Sequence, residues 1–231
     1  TLTLAENKSY ILVEGGSQIN YSYGITDIQF GIKVTDIGDR AFANCALTSV
    51  YISDSIIRVG DYAFADNYNL ESAEIGSNLR ELGEGVFSKA TKLSSIDVSS
   101  RNVTFTNLDN GVLYGYKTSI TGERYLELKI YPAGLVPSGD ERTYVLPEKA
   151  ISIDANAFEY SKIMTIIIPD TVNYIGANAF AHADSLVSIF FDGDLVEENI
   201  VEDIFANTSP ALVVDIPMNS NLEELCILKG I

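Results

Sequence analysis

The chain has 231 residues, of which 46% are hydrophobic and 20% are charged, a composition typical of a folded protein. Its formal net charge is −17, from 15 basic and 32 acidic residues, which argues against nucleic acid or anionic lipid as a partner and suits a cationic one. No run of 18 apolar residues is present, so the sequence predicts no membrane span.

Residues 1–24 carry two short apolar runs, 2–4 and 10–13, separated by a polar segment. Two such runs around a polar turn are typical of a β-hairpin. A repeat protein needs an atypical terminal unit to cover its open core. We therefore expect residues 1–24 to form a hairpin that caps the N-terminal end.

Residues 25–98 contain a six-residue phrase that returns at a regular interval. It reads IGDRAF at 37–42, VGDYAF at 59–64 and LGEGVF at 82–87, so its phenylalanines are 22 and 23 residues apart. Each copy is followed by the pattern Leu-x-x-Ile-x-Ile or a close variant, whose last positions alternate as in a half-buried strand. This period indicates a solenoid, in which each coil buries its apolar face against its neighbours.

Residues 99–142 interrupt the pattern. They contain two strand-like runs, 109–114 and 129–134, on either side of a loop predicted over 117–124. The phenylalanines that flank the interruption are 71 residues apart, which is close to three periods. We interpret the segment as an irregular variant repeat with a hairpin insertion, and a functional excursion is the alternative.

The repeat resumes over residues 143–216, with phenylalanines Phe158 and Phe180 and a degenerate copy at Phe205. Three residues after each phenylalanine stands a small or hydrogen-bonding residue, and we expect this column to form an internal ladder of turns. Its members are Cys45, Asn67, Ala90, Ser161, Ala183 and Thr208. Residues 217–231 hold one more strand-like pattern without the phrase, which we interpret as a C-terminal repeat or cap.

The repeat resembles the BspA-like (treponemal-type) leucine-rich repeat, whose consensus is near Leu-x-x-Ile-x-Ile-Pro-x-x-Leu-x-x-Ile-Gly-x-x-Ala-Phe. The match covers residues 25–100 and 143–216. The resemblance implies one leucine-rich-repeat solenoid over residues 1–231, of the right-handed α/β superhelix type and rich in β-structure. It implies parallel strands on the concave face and short helical turns and loops on the convex side. It also implies a secreted or surface protein, found mostly in bacteria, and some members of the family are implicated in adhesion.

The chain offers few residues for catalysis or metal binding. His182 is the single histidine and falls in a variable position of the Ala-Phe turn, so we expect a turn or surface residue. No nucleophile elbow and no glycine-rich phosphate loop are present, and the family motif contains no catalytic residues. We predict no catalytic site, no metal site and no cofactor, and therefore no enzyme activity.

The residue between the last two apolar positions of each strand pattern points outward. Along the chain these residues change from polar to apolar, and they are Gln29, Tyr51, Glu74, Asp97, Val145, Ile167, Phe190 and Asp215. We hypothesise that the apolar ones, with two residues that begin the same strands, form an exposed patch that binds a protein or peptide. This apolar patch consists of Val145, Met164, Ile167, Val187 and Phe190. The alternatives are that residues 99–142 fold over it or that it packs in a homodimer.

A second candidate surface is acidic and consists of Tyr51, Glu71, Glu74 and Asp97. It could receive a basic segment, although a solvated face is the commoner role of exposed carboxylates. Binding that persists at high salt would favour the apolar patch.

The family resemblance, together with the apolar patch, predicts an extracellular or cell-surface module that binds or adheres to a host or neighbouring-cell protein or peptide, without catalysis. The alternative is a structural spacer domain within a longer surface protein. The sequence leaves the oligomeric state open.

Overall fold

The computed structural model describes residues 25–109, 111–138, 142–193 and 203–216, together with the strand residues 2–3 and 10–12. The chain divides into two compact units, and each contains parallel strands from successive coils. The first unit consists of Thr1–Tyr114 and Pro132–Gly134, and the second of Gly115–Tyr131 and Leu135–Ile231. A single solenoid domain over the whole chain stays a prediction.

The first nine strands of the first unit form parallel ladders. The described strands of this unit are β1 (Leu2–Thr3), β2 (Tyr10–Leu12), β3 (Ile28–Gln29), β4 (Val34–Ile37), β5 (Ser49–Ile52), β6 (Arg58–Val59), β7 (Ser72–Ile75), β8 (Glu81–Leu82), β9 (Ser95–Val98) and β10 (Phe105–Leu108). One ladder is β5–β7–β9 and another is β2–β4–β6–β8. In the first ladder Val50, Ala73 and Ile96 lie opposite one another and are buried, so the predicted alternation of buried and outward residues is confirmed.

The predicted N-terminal hairpin is wrong for the strand residues that the structure describes. β1 pairs in parallel with β3, whereas β2 pairs in parallel with β4 in a different sheet. Each apolar run therefore finds its partner in the next coil and not in the other run. A parallel ladder that already exists offers both runs a ready set of hydrogen-bond partners, so the coil pattern extends to them.

The side of each coil that carries the Ala-Phe phrase is built from turns. In the first copy Arg40 has a φ of 53° and Asn44 a φ of 59°, both in the left-handed region. The same two positions recur with positive φ in later coils, at Tyr62, Asp66, Gly85, Lys89, Asn156, Tyr160, Asn178, His182, Asp203 and Asn207. The Arg40 and Asn44 amides donate to the carbonyls of Asp61 and Ala65 in the next coil, each at 2.8 Å.

The prediction of short helical turns is therefore wrong within the described residues, which contain no helix. A left-handed residue every fourth position interrupts the i to i−4 hydrogen bonds that an α-helix requires. The amides point along the solenoid instead and form a third ladder between coils. The solenoid of parallel strands itself is confirmed.

The phenylalanines of the phrase form the aromatic core of the first unit. The rings of Phe42, Phe64 and Phe87 stack with centroids 5.6 and 5.7 Å apart, and Phe30 meets Phe42 edge-on at 5.8 Å. Phe42, Phe64 and Phe87 are all buried. Contacts of this kind are worth about 0.5–1.5 kcal/mol each beyond the burial of apolar area, which explains why the phrase keeps its phenylalanine.

The second unit repeats this construction. The chain enters it within β11 (Val112–Thr118) and continues through β12 (Arg124–Ile130), β13 (Thr143–Val145), β14 (Ala150–Ile153), β15 (Thr165–Ile168), β16 (Tyr174–Ile175), β17 (Ser188–Phe191) and β18 (Val213–Asp215). One ladder is β12–β14–β16 and the other is β13–β15–β17–β18. The aromatic core contains Tyr131, Phe158, Phe180 and Phe205, with stacked centroids 5.2 to 5.7 Å apart.

Within the interruption, β11 and β12 flank a turn at residues 119–123, close to the loop predicted over 117–124. The Ser119 amide donates to the Glu123 carbonyl at 2.8 Å, which closes this turn. β12 also pairs in parallel with β14, with a bulge after Leu126. This pairing supports the interpretation of the segment as a variant repeat, because β12 occupies the place of a coil strand.

Candidate protein-interaction surface

The apolar patch lies on the outward side of the β13–β15–β17–β18 sheet. Val145 stands opposite Ile167, Ile167 opposite Phe190, and Phe190 opposite Asp215. The predicted register of these four residues is confirmed. We call this line the central row.

The exposure of the central row follows from strand alternation. Val145 is 53% exposed and Phe190 is 39% exposed, whereas Ile167 between them is half-buried. The residues that precede them, Tyr144, Ile166 and Ile189, point into the core and are buried. The row therefore belongs to the surface of the unit and not to its core.

A second line of apolar side chains runs beside the central row. Met164 and Val187 are half-buried, and the Val187 amide donates to the Met164 carbonyl at 2.9 Å. The Val213 amide donates to the Val187 carbonyl at 3.0 Å, and Val213 is 62% exposed. In register, Val213 stands opposite Ser188, and the sequence analysis did not include it in the patch. We call Met164 and Val187 the side row.

Small hydroxyl residues separate the two rows. Thr143, Thr165 and Ser188 stand opposite one another in register and are half-buried, and the exposed Val213 continues this line on β18. The hydroxyl side chains are shorter than the apolar residues on either side of them. On β15 and β17 the patch therefore has two apolar positions with a short polar residue between them.

One alternative for the patch was that the interruption folds over it. In the structure, residues 115–131 of the same unit contribute to the β12–β14–β16 sheet, and Val145 and Phe190 are exposed with residues 115–131 and 135–138 in place. The described part of the interruption thus leaves the patch accessible.

The acidic surface lies on the β5–β7–β9 sheet of the first unit. Tyr51, Glu74 and Asp97 stand opposite one another and all three are exposed, as is Glu71. Neighbouring strands are about 4.8 Å apart, so the carboxylates of Glu74 and Asp97 repel each other weakly. The structure brings together the residues that the sequence predicted for this surface.

A half-buried ion-pair cluster lies on the other sheet of the second unit. The ammonium of Lys129 lies 2.9 Å from Asp154 Oδ2 and 3.1 Å from Glu127 Oε2. Burial raises the pKa of Asp154 above its usual value, and the attraction of Lys129 only partly offsets this. Burial would lower the pKa of Lys129, but Asp154 and Glu127 together outweigh it and raise that pKa. The cluster ties β12 to β14 and offers no free nucleophile.

Catalytic and metal chemistry finds little support in the described residues. His182 lies at one of the left-handed turn positions and stacks on Tyr160, with centroids 4.7 Å apart, as a turn residue. Among the described residues no three His, Cys, Asp or Glu side chains are grouped so that they could hold a metal ion. In that same part of the chain, no helix is long and apolar enough to cross a membrane.

The register, the stacked phenylalanines and the turn ladder define a leucine-rich-repeat protein. The chain belongs to the BspA type leucine-rich repeat family, whose repeat region matches in six copies over residues 16–121 and 142–226. None of the curated protein sequences matches the chain.

Several solved structures are similar to this chain. The pneumococcal vaccine antigen PcpA is 22% identical, with a TM-score of 0.56 over 86% of this chain and 58% of that one. A leucine-rich repeat protein from Eubacterium ventriosum is 19% identical (TM-score 0.43, over 74% and 61%). A leucine-rich cell surface protein from Faecalibacterium prausnitzii is 18% identical (TM-score 0.44, over 98% and 92%). This chain thus spans about three fifths of the length of the first two, and the likeness to PcpA shows a shared fold.

Proposed function

We propose that this chain is an extracellular or cell-surface module that binds a protein or peptide of a host or neighbouring cell through the apolar patch. The observation that carries the proposal is the central row, in which Val145 and Phe190 are exposed on a fixed parallel sheet. Contiguous exposed apolar side chains on a folded protein mark interaction sites. Membership of the BspA type repeat family supports a surface or interaction role.

The sheet suits recognition because it holds the patch in one arrangement. Backbone hydrogen bonds join β13, β15, β17 and β18, and the buried side chains Tyr144, Ile166 and Ile189 anchor the first three of these strands to the core. A preformed surface loses little conformational entropy when a partner binds. Binding therefore requires no rearrangement of the coils and no cofactor.

The test is a pull-down of host extracellular proteins and peptides, with the wild-type protein and the Ile167→Asp/Phe190→Asp variant as baits. We expect the wild type to capture a partner and the variant to lose it, because two carboxylates in the patch would need to be desolvated on binding. Ile32→Asp/Ile57→Asp is the matched control, since these residues are 74% and 46% exposed in the first unit and the change in charge is the same.

Circular dichroism of all three proteins shows whether each is folded. Equal capture by the wild type and a folded patch variant would refute the proposed site. Capture of nothing by any of the baits would favour the structural spacer.

A further inference from the structure

The central row crosses four parallel strands. Val145, Ile167, Phe190 and Asp215 stand opposite one another on β13, β15, β17 and β18. Neighbouring strands are about 4.8 Å apart, so the row is about 14 Å long. A partner that contacts every residue of the row must present one side chain about every 5 Å.

This distance distinguishes a helical partner from an extended one. Side chains on one face of an α-helix recur at about 5.4 Å along the axis, the length of one turn. On an extended peptide, side chains on one face recur every second residue, about 6.8 Å apart. Over three intervals the helix departs from the strand spacing by about 2 Å and the extended peptide by about 6 Å. Only the helix places a side chain near each residue of the central row.

The width of the patch also fits a helix. The apolar stripe of an amphipathic helix is two rows wide, because its positions recur at i, i+3, i+4 and i+7. The central row and the side row provide two lines of apolar side chains, with the shorter Thr165 and Ser188 between them. A helix that lies across the strands can contact both rows at once.

The charges at the two ends of the patch differ in sign. Asp215 lies next to Phe190 in register, and Asp192 follows two residues after Phe190 on the same outward side; both are exposed. At the opposite end Arg142 precedes β13 and is half-buried. The central row therefore ends at the Asp215 carboxylate on β18, and the Asp192 carboxylate follows Phe190 at the end of β17, which fits a lysine or arginine of the partner there.

We infer that the apolar patch binds one amphipathic α-helix of the partner, which crosses β13, β15, β17 and β18 and places a basic residue at Asp215 and Asp192. This inference rests on the proposed function, since it names the kind of segment that the same patch accepts. The helix supplies apolar residues at i, i+3 or i+4, and i+7, followed one turn later by lysine or arginine.

The test is selection of a phage-displayed library of random peptides of about 16 residues, long enough for four helical turns. The whole protein is the bait, and phage that bind the Ile167→Asp/Phe190→Asp variant are removed first. We expect the selected sequences to share apolar residues at helical spacing with a basic residue at one end, and the peptides to gain helical circular dichroism when they bind.

A charge exchange tests the position of the basic residue. Asp215→Lys should weaken binding of the selected peptides about fivefold, and replacing their basic residue with glutamate should restore it. Arg80→Glu, an exposed charge reversal in the first unit, is the control and should leave the affinity unchanged.

The other outcomes are separable. Patch-dependent peptides with apolar residues at every second position would overturn the helix and leave the proposed function standing. If no selected peptide depends on the patch, both fail. A dimer in sedimentation that the Phe190→Asp change dissociates would also overturn the helix, because a second copy of the chain would then occupy the patch.

Discussion

At the scale of single residues, the glycine that recurs in the repeated phrase has a steric explanation. A Cβ atom built on Gly60 would lie 2.6 Å from the Asp39 backbone nitrogen of the previous coil, and one on Gly83 would lie 2.5 Å from that of Asp61. The previous coil lies this close to Gly60 because the Asp39 carboxylate accepts a hydrogen bond from the Asp61 amide at 2.9 Å. Glycine at this position lets successive turns approach closely enough for the carboxylate to reach the next coil.

Asn67 is a second residue on which the stacking of coils depends. Its side-chain amide is buried, donates to the carbonyls of Phe42 and Phe64 at 2.8 Å each, and accepts from the Leu47 amide at 3.3 Å. It thus joins two coils at the position where the sequence predicted an internal turn ladder. Ser161 occupies the same position in the second unit and is also buried, and its hydroxyl makes no hydrogen bond among the residues that the structure describes.

We predict that Asn67→Ala lowers the free energy of unfolding by about 3 kcal/mol, because it leaves buried carbonyl and amide groups without partners. Ser161→Ala is the matched control and should be neutral or stabilising by about 1 kcal/mol, since it removes a buried hydroxyl that makes no bond. Urea unfolding of the two variants measures both values. Equal losses of unfolding free energy in both variants would contradict the role of the Asn67 side chain in joining the coils.

At the scale of elements, the turns that follow β5 and β7 are joined by a carboxylate. Asp54 accepts from the Ser77 amide at 2.7 Å and from the Ser77 hydroxyl at 2.9 Å, and Arg101 lies 3.4 Å away. The backbone hydrogen bond from Ser77, its hydroxyl and the charge of Arg101 hold the pKa of Asp54 below its usual value of 3.8. The ionised form is therefore favoured by folding.

Because the pKa of Asp54 is lower in the folded state than in the unfolded state, its contribution to stability is present above the unfolded pKa. That contribution is lost as the pH falls through the folded value. We predict that Asp54→Asn reduces the loss of stability between about pH 5 and pH 3 relative to the wild type. Urea midpoints across this range measure the effect. Parallel pH profiles for the two proteins would show that this carboxylate does not couple the turns.

The sequence predicted some elements and not others for physical reasons. The constant distance from strand end to phenylalanine set the parallel register, because a coil of fixed length puts equivalent residues side by side. Local alternation does not distinguish a hairpin from two strands that pair with the next coil, so β1 and β2 were misassigned. The left-handed turns were also missed, since residues such as Arg40 and Tyr62 carry no local signal for positive φ.

At the scale of the molecule, the sequence predicted which residues of the patch lie side by side, but not the full extent of the exposed surface around them. Strand periodicity alone placed Val145, Ile167 and Phe190 together, because register follows from the repeat. Val213 was not found, since its exposure depends on how its coil packs on β17. The charged residues at the ends of the patch lie in neighbouring coils, so their positions relative to Phe190 follow only from the register of the strands in the structure.

The net charge of the chain and the apolar character of the patch predict opposite effects of salt on binding. A chain with a net charge of −17 attracts cationic partners at long range, and salt screens that attraction within about 8 Å at physiological ionic strength. Apolar contact is not screened in this way and is strengthened by some salts. The acidic surface and the apolar patch can therefore be distinguished with the same partner.

Hydroxyl-radical footprinting of the wild-type protein, with and without its captured partner in high salt, tests the central claim most directly. Met164 and Phe190 are readily oxidised side chains within the patch, whereas Tyr51 and Tyr68 are 49% and 52% exposed in the first unit and serve as references. We predict that the partner protects Met164 and Phe190 and leaves the two tyrosines unchanged. Protection of Tyr51 with no protection of Phe190 would contradict the account and place binding on the acidic surface.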